Sequence, residues 1–169
     1  MSDNLPPYIF LFGVAGVGKT YSGEAVSQRL GLVSYDLDQD MTPAMRAAIA
    51  QGQPFTDEIR DEFFEVVCQR ITDLKAKHPQ CIFMQGAYRQ KHRDRVTHTH
   101  PDVVFVLVDA PEELTLQRLH GRGNKVSREY AATLRSSFEA PPSGTPVLVN
   151  DTCTRDELVE RFTAIFNLS

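Results

Sequence analysis

Tyr8-Ile9-Phe10-Leu11-Phe12 is an unbroken apolar run between polar flanks. A strand with one wet face alternates, so this run predicts a strand buried on both faces. Four further runs, rich in β-branched or aromatic residues, predict strands at Leu32–Asp36, Cys81–Gln85, Val103–Val108 and Pro146–Asn150. Between them the pattern turns helical. Lys19–Leu30 follows the first strand, and Thr56–Lys77 places Phe63, Val67, Ile71 and Leu74 on one helical face. Residues 89–98 read as a polar helix, and Pro111–His120 begins with the helix-opening residues Asp109, Pro111 and Glu112. Ser127–Phe138 forms another helix. The last opens with Thr154 and Glu157 at capping-box spacing and buries Leu158, Phe162 and Ile165. Strands alternating with helices predict a three-layer α/β/α fold around a five-stranded, mostly parallel sheet. Ligands of such a fold gather at the carboxyl ends of the strands.

The first of those ends carries the strongest chemistry. Gly13 to Gly18 spends three glycines in six residues and ends on Lys19-Thr20, at the opening of a helix. The pattern is G-x-x-x-x-G-K-[ST] in its strand–loop–helix context, a phosphate-binding P-loop. Glycines let the backbone N–H groups turn inward, and their convergence on a positive helix end binds an anion. The fold is thereby narrowed to a P-loop NTPase fold whose ligand is a nucleoside triphosphate.

At 169 residues the chain has the length of one domain, and 41% apolar with 24% charged residues is ordinary for a globular protein. A net charge of −4 argues against a nucleic-acid partner. The polar start MSDNLPP is not a signal peptide, and no apolar run reaches membrane-spanning length, so a cytoplasmic protein is expected. Cys68, Cys81 and Cys153 are widely spaced and read as small hydrophobes rather than metal ligands.

A guanine reader is missing. The nearest run, Asn124-Lys125-Val126-Ser127, lacks the required aspartate. It lies in a glycine-hinged basic segment, Gly121-Arg122-Gly123-Asn124-Lys125, that suits a lid closing over phosphates. The second strand ends in YDLDQD, which projects Asp36 and Asp38 into the cleft. One carboxylate can hold the water shell of Mg²⁺, and the other can take the proton of an attacking hydroxyl. His98 and His100 sit in a loop with no third ligand nearby, and Lys91-His92-Arg93-Asp94-Arg95 reads as a solvated helix face.

The motifs together resemble the gluconate kinase and shikimate kinase group of small P-loop metabolite kinases. GVAGVGKT resembles the group's P-loop, YDLDQD its Asp-x-Asp strand end, and LQRLHGR at Leu116–Arg122 its arginine-bearing helix and lid. GQPFTDEIRDEFF at Gly52–Phe64 and LRSSFEAPP at Leu134–Pro142 are similar to gluconate kinase in particular. The chain departs from gluconate kinases at Gly86-Ala87-Tyr88-Arg89, where they carry Ser-Ala-Leu-Lys. It departs again at Ile59, at Met41 and Met45, and in lacking tryptophan altogether.

The resemblance implies one P-loop kinase domain over 1–169, with an acceptor-binding insertion at about 38–64 and a lid at about 118–128. It implies that Gly13, Ala15, Gly16, Val17, Gly18 and Lys19 cradle the phosphates of ATP. Thr20 would ligate Mg²⁺ with Asp36 behind it. Arg118 would lie against adenine, and Asn150, Asp151 and Thr152 would border the base. Lys19, Asp38 and Arg122 would carry catalysis, Arg122 reaching the transferring phosphate from the lid. Asp38, Arg60, Gly86, Arg89 and Arg135 would bind the acceptor. The implied reaction is transfer of the γ-phosphate to a hydroxyl of a sugar acid such as gluconate, a small anionic polyol, by a monomer or homodimer. Two alternatives stay open: another acceptor, shikimate-like or a nucleoside, and a nucleotide-hydrolysing module that acts through a partner.

Overall fold

The computed structural model describes residues 4–121 and 128–168. Its strands are β1 Tyr8–Phe12, β2 Val33–Asp36, β3 Cys81–Met84, β4 Val103–Asp109 and β5 Val147–Val149. They lie in the order β2-β3-β1-β4-β5. Every pair is parallel, so the sheet is more regular than the mostly parallel one expected. In register, Phe10 stands between Phe83 and Phe105. All five residues of β1 are buried, as the unbroken run requires.

The helices are α1 Lys19–Leu30, α2 Pro43–Ala50, α3 Asp57–Lys75, α4 Gln90–Thr99, α5 Glu112–Gly121, α6 Arg128–Ser136 and α7 Arg155–Ile165. Side chains alternate along β1 and feed two cores. Tyr8, Phe10 and Phe12 join Phe63, Val67 and Ile71 of α3 and Val96 of α4. Ile9 and Leu11 join Val26 of α1 and Leu158 and Phe162 of α7. The capping box of α7 is reciprocal: Glu157 N–H donates to Thr154 Oγ1 at 3.2 Å, and Thr154 N–H donates to Glu157 Oε2 at 2.7 Å. Burial pushes the Cys81 thiol up to about 12, so it behaves as the inert hydrophobe its pattern suggests.

His98 lies in the last turn of α4 rather than in the expected loop, and two elements differ further from the sequence reading. Helix α2 is not revealed by periodicity, because eight residues that bury only Met45 and Ala48 are too few to show a face. Its local signal is Thr42-Pro43: Thr42 Oγ1 accepts Met45 N–H at 3.2 Å, and Pro43 occupies the first turn. The charge run on α4 is not solvated throughout. His92 and Arg93 are 2% and 3% exposed. Both are satisfied by partners on neighbouring elements, which a pattern of charges along one helix cannot display.

The fold brings the carboxyl ends of β1, β2 and β3 together on one edge. Among the described residues no helix is long and apolar enough to cross a membrane.

Candidate active site

The loop from Gly13 to Gly18 leaves β1 and enters α1. Gly16 and Gly18 have φ of 89° and 88°, a left-handed backbone that disfavours other residues. Gly16 also has no room for a side chain, since a Cβ there would sit 2.7 Å from the Thr115 carbonyl oxygen of α5. Lys19 Nζ folds back over the loop, donating to Gly13 O at 2.9 Å and Val14 O at 3.1 Å.

One flank of this loop is clamped. Asn150 Nδ2 donates to Val17 O at 2.8 Å. The Arg118 guanidinium reaches Gly16 O and Val17 O at 3.4 and 3.2 Å, and Asn150 O and Asp151 O at 3.0 and 3.1 Å. Arg118, expected against adenine, thus ties the P-loop to the segment after β5. Asp151 pairs with Arg161 at 3.0 Å, which holds its carboxyl below the usual range, and Thr152 is exposed.

On the other flank Thr20 Oγ1 donates to Asp36 Oδ2 at 2.8 Å. Asp36 Oδ1 accepts the Asp38 N–H at 3.0 Å and so orients the single 3-10 turn Leu37–Asp40. A hydroxyl and a carboxylate in contact beside a phosphate loop are the donors a magnesium ion takes, because that ion keeps waters and phosphate oxygens for its other positions. Among the described residues no group of three or more His, Cys, Asp or Glu could form a closed cage instead.

Lys19, Asp38, Arg60 and Gly86 line one cavity of about 390 Å³. Asp38 opens to solvent at the mouth, yet protein crowds its carboxylate. Burial raises its pKa, Asp36 raises it further, and Gln85 and Lys19 pull it back. Gln85 Nε2 donates to Asp38 Oδ1 at 3.3 Å. Burial and the neighbouring Arg89 lower the pKa of Arg60. Of the cations expected to hold the acceptor, Arg60 is the one that shares a cavity with Asp38. Arg89 lines an adjoining cavity of about 350 Å³ with Arg60, and binds Glu139 at 3.3 Å and Asp57 at 3.5 Å. Arg135 lines a third, of about 270 Å³, beside Val14 and Ala15, and pairs with Glu112 at 3.4 Å. Arg122 and the basic segment expected as the lid lie outside the described residues.

The AAA domain family model matches residues 9–139. The thermosensitive gluconokinase of Escherichia coli (strain K12) is 30% identical over 131 residues, 77% of this chain and 68% of that protein. The chain belongs to the gluconate and shikimate kinase group of P-loop kinases. A shikimate kinase of Streptomyces coelicolor is 26% identical over 161 residues, covering 91% of this chain and 92% of that one. The fold matches the solved structure of a gluconokinase from Sinorhizobium meliloti 1021 with a TM-score of 0.80 at 22% identity, over 96% of this chain and 92% of that one. As a member of this group the protein is a phosphotransferase with an alcohol group as acceptor.

Three side chains of this kinase's site escaped the sequence reading. Tyr88, read only as a departure, accepts the Ala15 N–H on its hydroxyl at 2.7 Å, so the wall of the cavity touches the P-loop itself. Gly86 makes that possible, because a Cβ there would lie 2.8 Å from the Tyr88 ring. Arg93 holds the Tyr88 turn from beneath. Its guanidinium donates to Ala87 O at 2.6 Å, Tyr88 O at 3.3 Å and Glu139 O at 2.6 Å, and lies 5.0 Å from the centre of the Phe12 ring. Ala87 takes a left-handed φ of 44° within this turn, a strain that surrounding contacts must hold. His92 stacks on Phe64 with centroids 4.5 Å apart and meets Asp61 at 2.7 Å. Burial lowers the His92 pKa against the pull of Asp61. At neutral pH the contact is therefore a hydrogen bond from a neutral ring to a carboxylate rather than an ion pair.

Proposed function

We propose that this kinase transfers the γ-phosphate of ATP to a hydroxyl of a small anionic metabolite held between Asp38 and Arg60. The observation that carries the reading is one cavity holding the P-loop lysine, an aspartate with a raised pKa and an arginine. The P-loop amides and Lys19 would bind the β- and γ-phosphates. Thr20 and Asp36 would hold Mg²⁺, which when bound neutralises charge on the phosphate oxygens. Arg60 would orient the acceptor anion. The acceptor oxygen attacks phosphorus, the bridging P–O bond breaks, ADP leaves with the electron pair, and the hydroxyl proton passes to Asp38. Catalysis is then positioning and charge stabilisation. Arg122 is the proposed further cation on the transferring phosphate.

The names of the relatives support a sugar acid such as gluconate as the acceptor. ADP release from ATP and Mg²⁺, measured with and without a panel of hydroxy acids, tests the proposal. Stimulation by an acid, lost in Asp38→Asn, supports it. Hydrolysis of ATP that no acid stimulates refutes it.

A further inference from the structure

The walls of the Asp38 cavity point to a different kind of acceptor from a sugar acid. Among the described residues its charged groups fall in two places. Lys19, Asp38 and Gln85 meet at the P-loop end, where Asp38 senses Asp36, Gln85 and Lys19. Arg60 stands apart and senses Arg89 and Asp57 instead. Elsewhere the wall is largely apolar: Met41, Met45 and Ile49 from the α2 region, then Phe55, Phe63 and Phe64.

Several of the polar groups are already engaged. Gln85 spends its amide nitrogen on Asp38 and its amide oxygen on the Ala87 N–H. His92 Nε2 is bound to Asp61, and the Tyr88 hydroxyl accepts from the P-loop. A polyol carries a hydroxyl on nearly every carbon, and each would exchange water for methionine sulfur or a phenyl ring, an unfavourable trade without a partner. An apolar body loses nothing there and gains contact with thioethers that adapt to its shape.

Two further observations agree. Ile49 is 55% exposed although it lines both this cavity and the adjoining one, so a ligand with an apolar body would cover it. Asp57, the acidic residue whose charge Arg60 senses, is engaged by Arg89 at 3.5 Å and Lys91 at 3.9 Å, and Arg60 forms no ion pair among the described residues. A carboxylate would fit its fork.

We propose that the acceptor is a hydroxy acid with a single anionic group and a predominantly apolar, ring-sized body. Its hydroxyl would lie at Asp38, its carboxylate at Arg60, and its body against Met41, Met45, Ile49 and Phe55. This rests on the phosphotransferase reading above, keeps its small anionic acceptor, and sets a mostly apolar body against the sugar acid that the relatives' names suggest.

The test uses the full chain with ATP and Mg²⁺ and three probes: gluconate, para-hydroxymethylbenzoate and the neutral para-hydroxymethylbenzamide. ADP release gives kcat/KM, and saturation-transfer NMR reports binding without turnover. The aromatic acid should exceed gluconate by about tenfold or more, and the amide should lose about tenfold or more against the acid, the size of one charge-assisted contact. Ile49→Asn, at an exposed position, should weaken the aromatic acid by more than it weakens gluconate. Gluconate turned over as well as or better than the aromatic acid overturns the inference while leaving the kinase reading intact. Binding of the aromatic acid, weakened by Ile49→Asn, with no turnover of any probe overturns the inference that this class is the acceptor and leaves only an apolar binding pocket. Absence of binding by the aromatic acid overturns the inference.

Discussion

On the β4–β5 flank of the P-loop, Arg118 and Asn150 grip the carbonyls of Gly16 and Val17. On the β2–β3 flank the same loop faces side chains: Asp38 on a 3-10 turn, Tyr88 on a strained turn, and the methionines and phenylalanines of the cavity. Phosphate binding is backbone chemistry, so its requirements are glycine, lysine and a hydroxyl at fixed spacing. Acceptor binding is side-chain chemistry, and wall residues away from the loop, such as Met41, Met45 and Phe55, can change without disturbing it. The first flank therefore keeps a motif that many proteins share, whereas the second carries what is particular to this one.

The largest effect should come where the flanks meet. Asp38→Asn keeps shape and removes the base, so kcat should fall by about 10²–10⁴, the usual contribution of a positioned base. The sign of the pH dependence follows from its raised pKa. Asp38 accepts a proton only when ionised, so kcat falls as pH drops through a value above the ordinary carboxylate one, and the variant should lose this acidic limb. Because folding desolvates the ionised form, removing the charge should also raise Tm at neutral pH. A variant with full kcat, or with the limb unchanged, breaks the assignment.

Lys19→Ala acts on the backbone flank. Loss of one donor to developing charge costs about 10²–10³ in kcat, and circular dichroism should show the fold retained, since its bonds to Gly13 O and Val14 O tie loop to loop rather than element to element. Arg60→Ala acts on the side-chain flank alone. It should raise the acceptor KM by roughly ten- to a hundredfold, the loss of one charge-assisted contact, and leave the ATP KM nearly unchanged. An effect on ATP instead would erase the division between the flanks.

The same division explains what could be read from the chain. The strand–loop–helix around Lys19 was legible because β1 is apolar on both faces and the glycines obey a backbone rule. The five strands were legible by their apolar runs and α7 by its cap. Helix α2 was not, being too short for periodicity, although Thr42-Pro43 marked its start. Arg89 and Arg135 looked equivalent to Arg60 as surface-type cations near the cleft. What sets them apart from Asp38's cavity is visible only in their partners Glu139, Asp57 and Glu112, each more than about twenty residues away in sequence. Arg93 and His92 were read as solvated because a charge run shows its composition and not its partners. Tyr88 gave a signal, a hydroxyl where relatives of the gluconate kinase type carry leucine, but its contact with Ala15 spans 73 positions.

The smallest expected effect tests the wall behind the cavity rather than its chemistry. His92 is buried against Phe64, and burial outweighs the attraction of Asp61, so its folded pKa lies below its ordinary value of 6.5. Lys91 and Arg60 push the same way. The folded state then binds fewer protons than the unfolded chain between the two values, and stability rises with pH across that window. The contribution is complete above about 6.5 and is lost as pH falls toward the depressed value. Asp61 also has a lowered pKa, so its contribution is lost only on acidification below about 3.8. Thermal melts at mildly acidic and neutral pH should show His92 shifting the wild-type Tm downward on acidification relative to a variant without it, whatever the opposing contribution of Asp38. His92→Phe preserves the ring stack and cannot titrate, so it should lose less. Equal losses in both proteins would mean that folding does not shift the His92 pKa, and a smaller loss in the wild type than in the variant would mean that the folded state favours the charged ring, so that the cavity wall gains a cation beside Arg60 on acidification.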